Sequence, residues 1–180
     1  VLFENHVSGN QFFFDTTSRI SRITEDDTGN IWCISINTGK IICYEPTTNQ
    51  WRQYINHSKQ ENFKTTGLNT ISVTGNDVWT GSATGLGLTK YNYKTGSLLS
   101  LTRNDGLSSE NILAISKGNK DQLFLATQSG VQLLNTSSNQ LHAIVPKNEN
   151  IDWGFAYIQY YDSISRQLFY GLNDRIIMIK

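Results

Sequence analysis

The stretch Gly67-Leu68-Asn69-Thr70-Ile71-Ser72-Val73-Thr74-Gly75-Asn76-Asp77-Val78-Trp79-Thr80-Gly81-Ser82 decides the fold of this 180-residue chain. Apolar and polar residues alternate with period two, and Gly, Asn and Asp break the runs. Thr70–Thr74 therefore reads as a strand, Gly75-Asn76-Asp77 as a turn and Val78–Ser82 as a second strand. Downstream come a Gly-rich hairpin, a third strand at Leu88–Tyr93, a Lys94-Thr95-Gly96 turn and a fourth strand at Leu98–Thr102.

The same unit recurs. Gly29-Asn30-Ile31-Trp32-Cys33-Ile34-Ser35, Asn76–Ser82, Asp121-Gln122-Leu123-Phe124-Leu125-Ala126-Thr127 and Arg166-Gln167-Leu168-Phe169-Tyr170-Gly171 align on an aromatic at positions 32, 79, 124 and 169, at intervals of 47, 45 and 45 residues. Tyr44, Tyr91 and Leu134 sit at matching places, at intervals of 47 and 43 residues, and are followed by Pro46-Thr47-Thr48-Asn49, Tyr93-Lys94-Thr95-Gly96 and Thr136-Ser137-Ser138-Asn139. Four short strands in a period of about 45 residues are the signature of a β-propeller blade. The expected fold is all-β, with about four four-stranded antiparallel blades in one segment spanning residues 1–180. The units fall at 19–54, 67–102, 110–145 and 154–180. The third predicts strands at Ile112–Ser116, Leu123–Thr127, Val131–Asn135 and Gln140–Val145, the fourth at Ala156–Tyr161, Leu168–Gly171 and Arg175–Ile179. No stretch carries a sustained i, i+3, i+4, i+7 apolar stripe, so almost no helix is expected.

The fourth unit stops after its third strand, while Gln11-Phe12-Phe13-Phe14-Asp15 stands before the first unit where a fourth strand belongs. Strand 11–15 is accordingly expected to complete a blade. Two arrangements remain open: that strand closes a small four-bladed ring, or the units are an arc of a larger propeller with two blade faces bare. The arc is preferred, because the chain opens on Val1 and reads as a piece of something longer.

Lys plus Arg and Asp plus Glu are 15 each, so the net charge is zero and nothing favours nucleic acid or an anionic membrane as partner. No apolar run approaches the roughly 20 residues of a transmembrane helix. Cys33 and Cys43 fall on neighbouring strands of one hairpin. Two small buried hydrophobes are preferred there over a cross-strand bridge, and the redox compartment stays open. Glu25-Asp26-Asp27-Thr28-Gly29 is an acidic run at a strand-to-strand turn; it lacks the alternating carboxylates and distal Glu of a calcium loop, so it reads as a turn. His6, His57 and His142 share no spacing with a Ser or Cys nucleophile, and no phosphate loop, Cys-x-x-Cys pair or Ser elbow appears. No catalytic residue, metal or cofactor is expected. The repeated Trp or Phe is expected to pack against its equivalent in the next blade. Gly81, Gly85 and Gly87 suit tight hairpins and close blade packing.

Gly67-Leu68-Asn69-Thr70-Ile71-Ser72-Val73, Asn76–Ser82, Gly85-Leu86-Gly87-Leu88-Thr89-Lys90-Tyr91-Asn92 and Asp105-Gly106-Leu107-Ser108-Ser109-Glu110-Asn111-Ile112-Leu113-Ala114-Ile115 resemble the two-component regulator propeller repeat. That repeat runs as a Gly-Leu-Ser/Pro-Ser-Asn opening, an apolar strand, Asp-Gly-Asn-Leu-Trp-Ile-Gly-Thr, a Gly-Gly-Leu hairpin and a Tyr-containing strand before a Thr-Gly turn. The resemblance covers Ile20 to Lys180; Phe124 replaces the Trp in the third unit, and the fourth lacks the opening motif. It implies a sensor propeller of a hybrid histidine kinase of the Bacteroides type, periplasmic and part of an inner-membrane receptor. Such propellers detect polysaccharide breakdown products and signal to kinase and transcription-regulating modules outside this chain.

The implied partners are an oligosaccharide or other small ligand, neighbouring blades and a dimer partner of the parent receptor, with no nucleic acid bound by this segment. Ligand is expected at the face where first strands begin and second-to-third-strand hairpins protrude. Candidates there are Asn37, Thr84, Gln128 and Trp153, the last as a stacking surface. The alternatives are a propeller-type polysaccharide lyase or glycosidase, which needs inward-facing paired carboxylates or a His/Tyr/Arg cluster, and a non-catalytic protein–protein scaffold.

Overall fold

The computed structural model describes residues 2–4, 11–13, 19–55, 67–144, 158–172 and 175–180. Seventeen strands build it: β1 (Leu2–Glu4), β2 (Gln11–Phe13), β3 (Ile20–Glu25), β4 (Ile31–Ser35), β5 (Ile41–Glu45), β6 (Gln50–Ile55), β7 (Leu68–Thr74), β8 (Asp77–Ser82), β9 (Leu88–Asn92), β10 (Leu98–Leu101), β11 (Ile112–Lys117), β12 (Gln122–Thr127), β13 (Gly130–Asn135), β14 (Gln140–Ile144), β15 (Ile158–Asp162), β16 (Gln167–Gly171) and β17 (Ile176–Ile179). The helical content among the described residues is one 3₁₀ turn at Arg103–Asp105. Strands β3–β6, β7–β10 and β11–β14 form three four-stranded antiparallel meanders, and β15–β17 a three-stranded one. These are four propeller blades, with neighbouring first strands β3, β7, β11 and β15 set side by side in chain order.

Strand β2 pairs with β1 in a separate two-stranded sheet, with Phe3 opposite Phe12. The expectation that strand 11–15 completes the fourth blade is thus not met among the described residues. Leu2–Glu4 offers a local antiparallel partner of matching length, and a hairpin closes a much shorter loop than a pairing with β17.

Each blade has two faces, because neighbouring residues of a strand point oppositely. Trp32, Ile34, Ile41 and Cys43 on one face of the first blade pack against Ile71, Val73, Val78 and Tyr91 of the second. Trp79, Leu88 and Leu101 of the second pack against Ile115, Leu123, Leu125 and Leu134 of the third. Phe124, Ala126 and Val131 of the third meet Leu168, Tyr170 and Tyr161 of the fourth. The aromatic row of each blade therefore meets the opposite, mainly aliphatic face of the next blade. This corrects the expectation that the repeated aromatics pack on one another: a whole sheet stands between Trp32 and Trp79. Trp32 instead stacks on Tyr54 at 5.0 Å and meets Tyr93 at 5.1 Å.

The first two strands slip register at the same place in three blades, between Ile20 and Arg22, Leu68 and Thr70, and Ile112 and Ala114. Such bulges re-aim a side chain. Here they turn Ser21 and Asn69 sideways, so that the Ser21 hydroxyl donates to the Leu68 carbonyl at 3.1 Å and the Asn69 amide to the Leu113 carbonyl at 3.0 Å. Cys33 and Cys43 are buried, free thiols. Cys33 pairs with Ile42 and Cys43 with Trp32, so the two sulfurs occupy adjacent rows and opposite faces of the hairpin. That excludes a cross-strand bridge.

Candidate functional site

The hairpins β4–β5, β8–β9 and β12–β13 share one end of the propeller with the starts of the first strands. Asn37, Thr84 and Gln128 stand on these three hairpins, each exposed. Trp153 lies outside the described residues.

Backbone bonds knit this end together. The Ile36 amide donates to the Arg19 carbonyl and the Gln128 amide to the Asn111 carbonyl, joining hairpin to incoming link in the first and third blades. Between blades, Gly67 N–H donates to the Ile36 carbonyl and Gly87 N–H to the Glu110 carbonyl, both at 2.9 Å. Gly87 has φ +74°, and a Cβ there would run into the Leu101 carbonyl oxygen, so only glycine lets this hairpin close.

Side chains continue the network. The Asn111 amide donates to Gln128 Oε1 at 2.6 Å, and the Thr84 and Ser82 hydroxyls share a bond of 2.8 Å. Buried Gln132 accepts from Ser108 N–H at 2.8 Å and donates to the Gly106 carbonyl at 2.9 Å, fixing the link that enters the third blade. The Ser108 and Thr127 hydroxyls lie 2.9 Å apart. The result is a preorganised rim of amides and hydroxyls, able to give and accept hydrogen bonds toward a neutral polar ligand.

The opposite end carries a feature that sequence reasoning missed. A cavity of about 740 Å³ opens among the turns there, lined by residues that include Asp27, Asp77, Lys90, Asn92, Lys117 and Gln122. Two of its lysines are paired with acids: Lys117 Nζ meets Asp27 at 2.8 Å, and Lys90 Nζ meets Asp77 at 3.0 Å; Lys120 and Asp121 line it as well. The Asn92 amide also donates to Asp77 at 2.7 Å. Lys117 and Asp27 belong to the third and first blades, a contact that no local pattern announces.

The acidic run resolves into one structural carboxylate. Asp26 is 8% exposed and accepts from Thr28, Asn30 and the Trp32 indole N–H, the last at 2.7 Å. Burial alone would raise its pKa; the bonds from Trp32, Thr28 and Asn30 outweigh it and hold the group at about 2. Among the described residues no group of His, Cys, Asp and Glu could hold a metal ion. His142, on the outer strand β14, is exposed.

No family model matches the chain, and no curated protein matches it. Solved structures do. The chain is similar to the extracellular domain of a one component system from Bacteroides thetaiotaomicron, at 15% identity and TM-score 0.68, over 98% of this chain and 26% of that one. It is also similar to the extracellular domain of a hybrid two component system from the same organism, at 18% identity and TM-score 0.57, over 93% of this chain and 27% of that one. A catalytically inactive virginiamycin B lyase from Staphylococcus aureus, with quinupristin, matches at 15% identity and TM-score 0.66, over 94% of this chain and 58% of that one. The chain thus spans about a quarter of the two extracellular domains. No helix among the described residues is long and apolar enough to cross a membrane. What the chain shares with all three proteins is the β-propeller fold.

Proposed function

We propose that the chain is a non-catalytic, ligand-sensing segment of an extracytoplasmic propeller. It would form the periplasmic part of an inner-membrane receptor and report an oligosaccharide to a histidine kinase and transcription-regulating module outside these residues. The observation that supports this reading is the repeat itself. Its wording resembles the two-component regulator propeller repeat, and its fold is shared with extracellular domains of one- and two-component systems. The hairpin end suits a neutral carbohydrate, because Asn37, Thr84 and Gln128, exposed on its three hairpins, offer amides and a hydroxyl.

Calorimetric titration of the chain with a panel of neutral oligosaccharides tests the reading. One chemical class should bind, and Thr84→Ala or Gln128→Ala should each weaken it about 3- to 10-fold, the worth of one hydrogen bond, while the melting temperature falls by no more than about 2–4 °C. Absence of binding across the panel would count against it.

A propeller lyase is the second reading, favoured by the match to virginiamycin B lyase. Against it stands the described histidine, His142, exposed on an outer strand. Incubation with quinupristin separates the two: the sensor reading expects the compound to be recovered unchanged.

A further inference from the structure

The fourth blade is covered on one face and bare on the other. Leu168 and Tyr170 are 2% and 0% exposed and, with Tyr161, Ile177 and Ile179, pack on the third blade. On the other face, register sets Ile158, Gly171 and Ile176 in one row and Tyr160, Phe169 and Met178 in the next. Ile158, Tyr160, Ile176 and Met178 are 71%, 65%, 76% and 46% exposed. A contiguous apolar patch of this kind marks an interaction surface.

The other three blades say what should cover it. Phe169 stands where Trp32, Trp79 and Phe124 stand, and those are 1%, 0% and 9% exposed. Each is buried by the following blade: Trp32 by Val73 and Val78, Trp79 by Leu123 and Leu125, Phe124 by Leu168 and Tyr170. A second copy of this chain cannot offer the same face freely. Cys33, the first-blade equivalent of Leu125 and Tyr170, is 6% exposed, and its cross-strand partner Ile42 is 1% exposed. We infer that the outer face of the fourth blade docks a further blade of the same repeat, whose aliphatic face seats over Tyr160, Phe169 and Met178. Strand β17, which ends its sheet among the described residues, is then the place where a fourth strand joins.

Met178 is the one methionine of the chain, so its oxidation by dilute peroxide, followed by mass spectrometry, reads the coverage of this face at a single atom. Met178 lies opposite Phe169 as Lys90 lies opposite Trp79, so a second copy of residues 93–144 joined after Lys180 continues the repeat in phase. In the 180-residue chain Met178 should oxidise nearly as fast as free methionine; in the extended chain, at least about 10-fold more slowly. Adding Ile176→Glu to the extended chain should restore fast oxidation.

Several results overturn the inference. Protection of Met178 in the monomeric 180-residue chain would mean that the face is closed from within. Protection that grows with concentration, beside a doubled mass in light scattering, would make a second copy the occupant. Fast oxidation in the extended chain, or an added blade that stays unfolded beside four folded ones, would show that the face does not template its partner. A check independent of any added blade is Ile158→Thr with Ile176→Thr in the 180-residue chain. The melting temperature should hold within about 2 °C; a fall of several degrees would mean that the face is already packed.

Discussion

Around Asp26 five hydrogen bonds converge on two carboxylate oxygens, from two backbone amides, the Thr28 hydroxyl, the Asn30 amide and the Trp32 indole. The second blade makes the same junction with a neutral group, the Trp79 indole donating to the Thr74 hydroxyl at 3.1 Å. Asp26 has a folded pKa of about 2 against 3.8 for the free side chain. A depressed carboxylate pKa contributes stability above the unfolded value and loses it as pH falls through the folded one. Denaturant unfolding should therefore show about 2 kcal/mol of stability from this group above pH 4, fading toward pH 2, and Asp26→Asn should abolish that part of the pH dependence. Asp26→Ala should cost about 2–4 kcal/mol, because the Trp32 indole loses its partner in a buried site. The run Glu25-Asp26-Asp27-Thr28-Gly29 showed a turn from its composition; which carboxylate turns inward depends on the Trp32 side chain, and strand periodicity does not carry that. Burial also pushes the Cys33 thiol up to about 11 and Cys43 to about 12, where burial is joined by Asp26 and Glu45. Both should stay unreactive toward a thiol reagent at pH 8 in the folded chain and react together on unfolding.

Blade packing is decided at close approaches between strands. Gly81 has no positive φ; its use is space, since a Cβ there would lie 2.6 Å from Ile112 Cγ2 and 2.8 Å from Thr70 Cγ2. Gly81→Ala should lower stability by about 1–3 kcal/mol, read by denaturant unfolding, through forced separation of the second and third blades. The strands themselves were legible: Leu88–Tyr93 and Arg175–Ile179 were expected, and Leu88–Asn92 and Ile176–Ile179 are found. Alternation and turn residues set those boundaries locally. The bulges at Ser21 and Asn69 were not legible, because an extra residue in a strand leaves period two intact on either side and shows only in the cross-strand register. The facing of the aromatics was missed for a related reason: a repeat gives the position of Trp32 and Trp79 along the chain, not which sheet face meets which.

Across the molecule, the repeat spacing made four blades legible, but not the pairing of Gln11–Phe13, which depends on a competing partner at Leu2–Glu4. Its two ends differ in kind. The hairpin end carries exposed amides and hydroxyls held by inter-blade backbone bonds, whereas the turn end holds a cavity of about 740 Å³ whose lining includes the Lys117–Asp27 and Lys90–Asp77 ion pairs. Composition places hydroxyls and amides at the first; the cavity is not legible in the sequence because it joins turns from three blades far apart along the chain. Hydrogen exchange followed by mass spectrometry, with and without the oligosaccharide that binds most tightly, tests the sensor reading most directly. Slowed exchange is expected at residues 35–40, 82–88 and 127–130. Slowing confined to residues 74–77 and 117–122, or no change at either end, would contradict it.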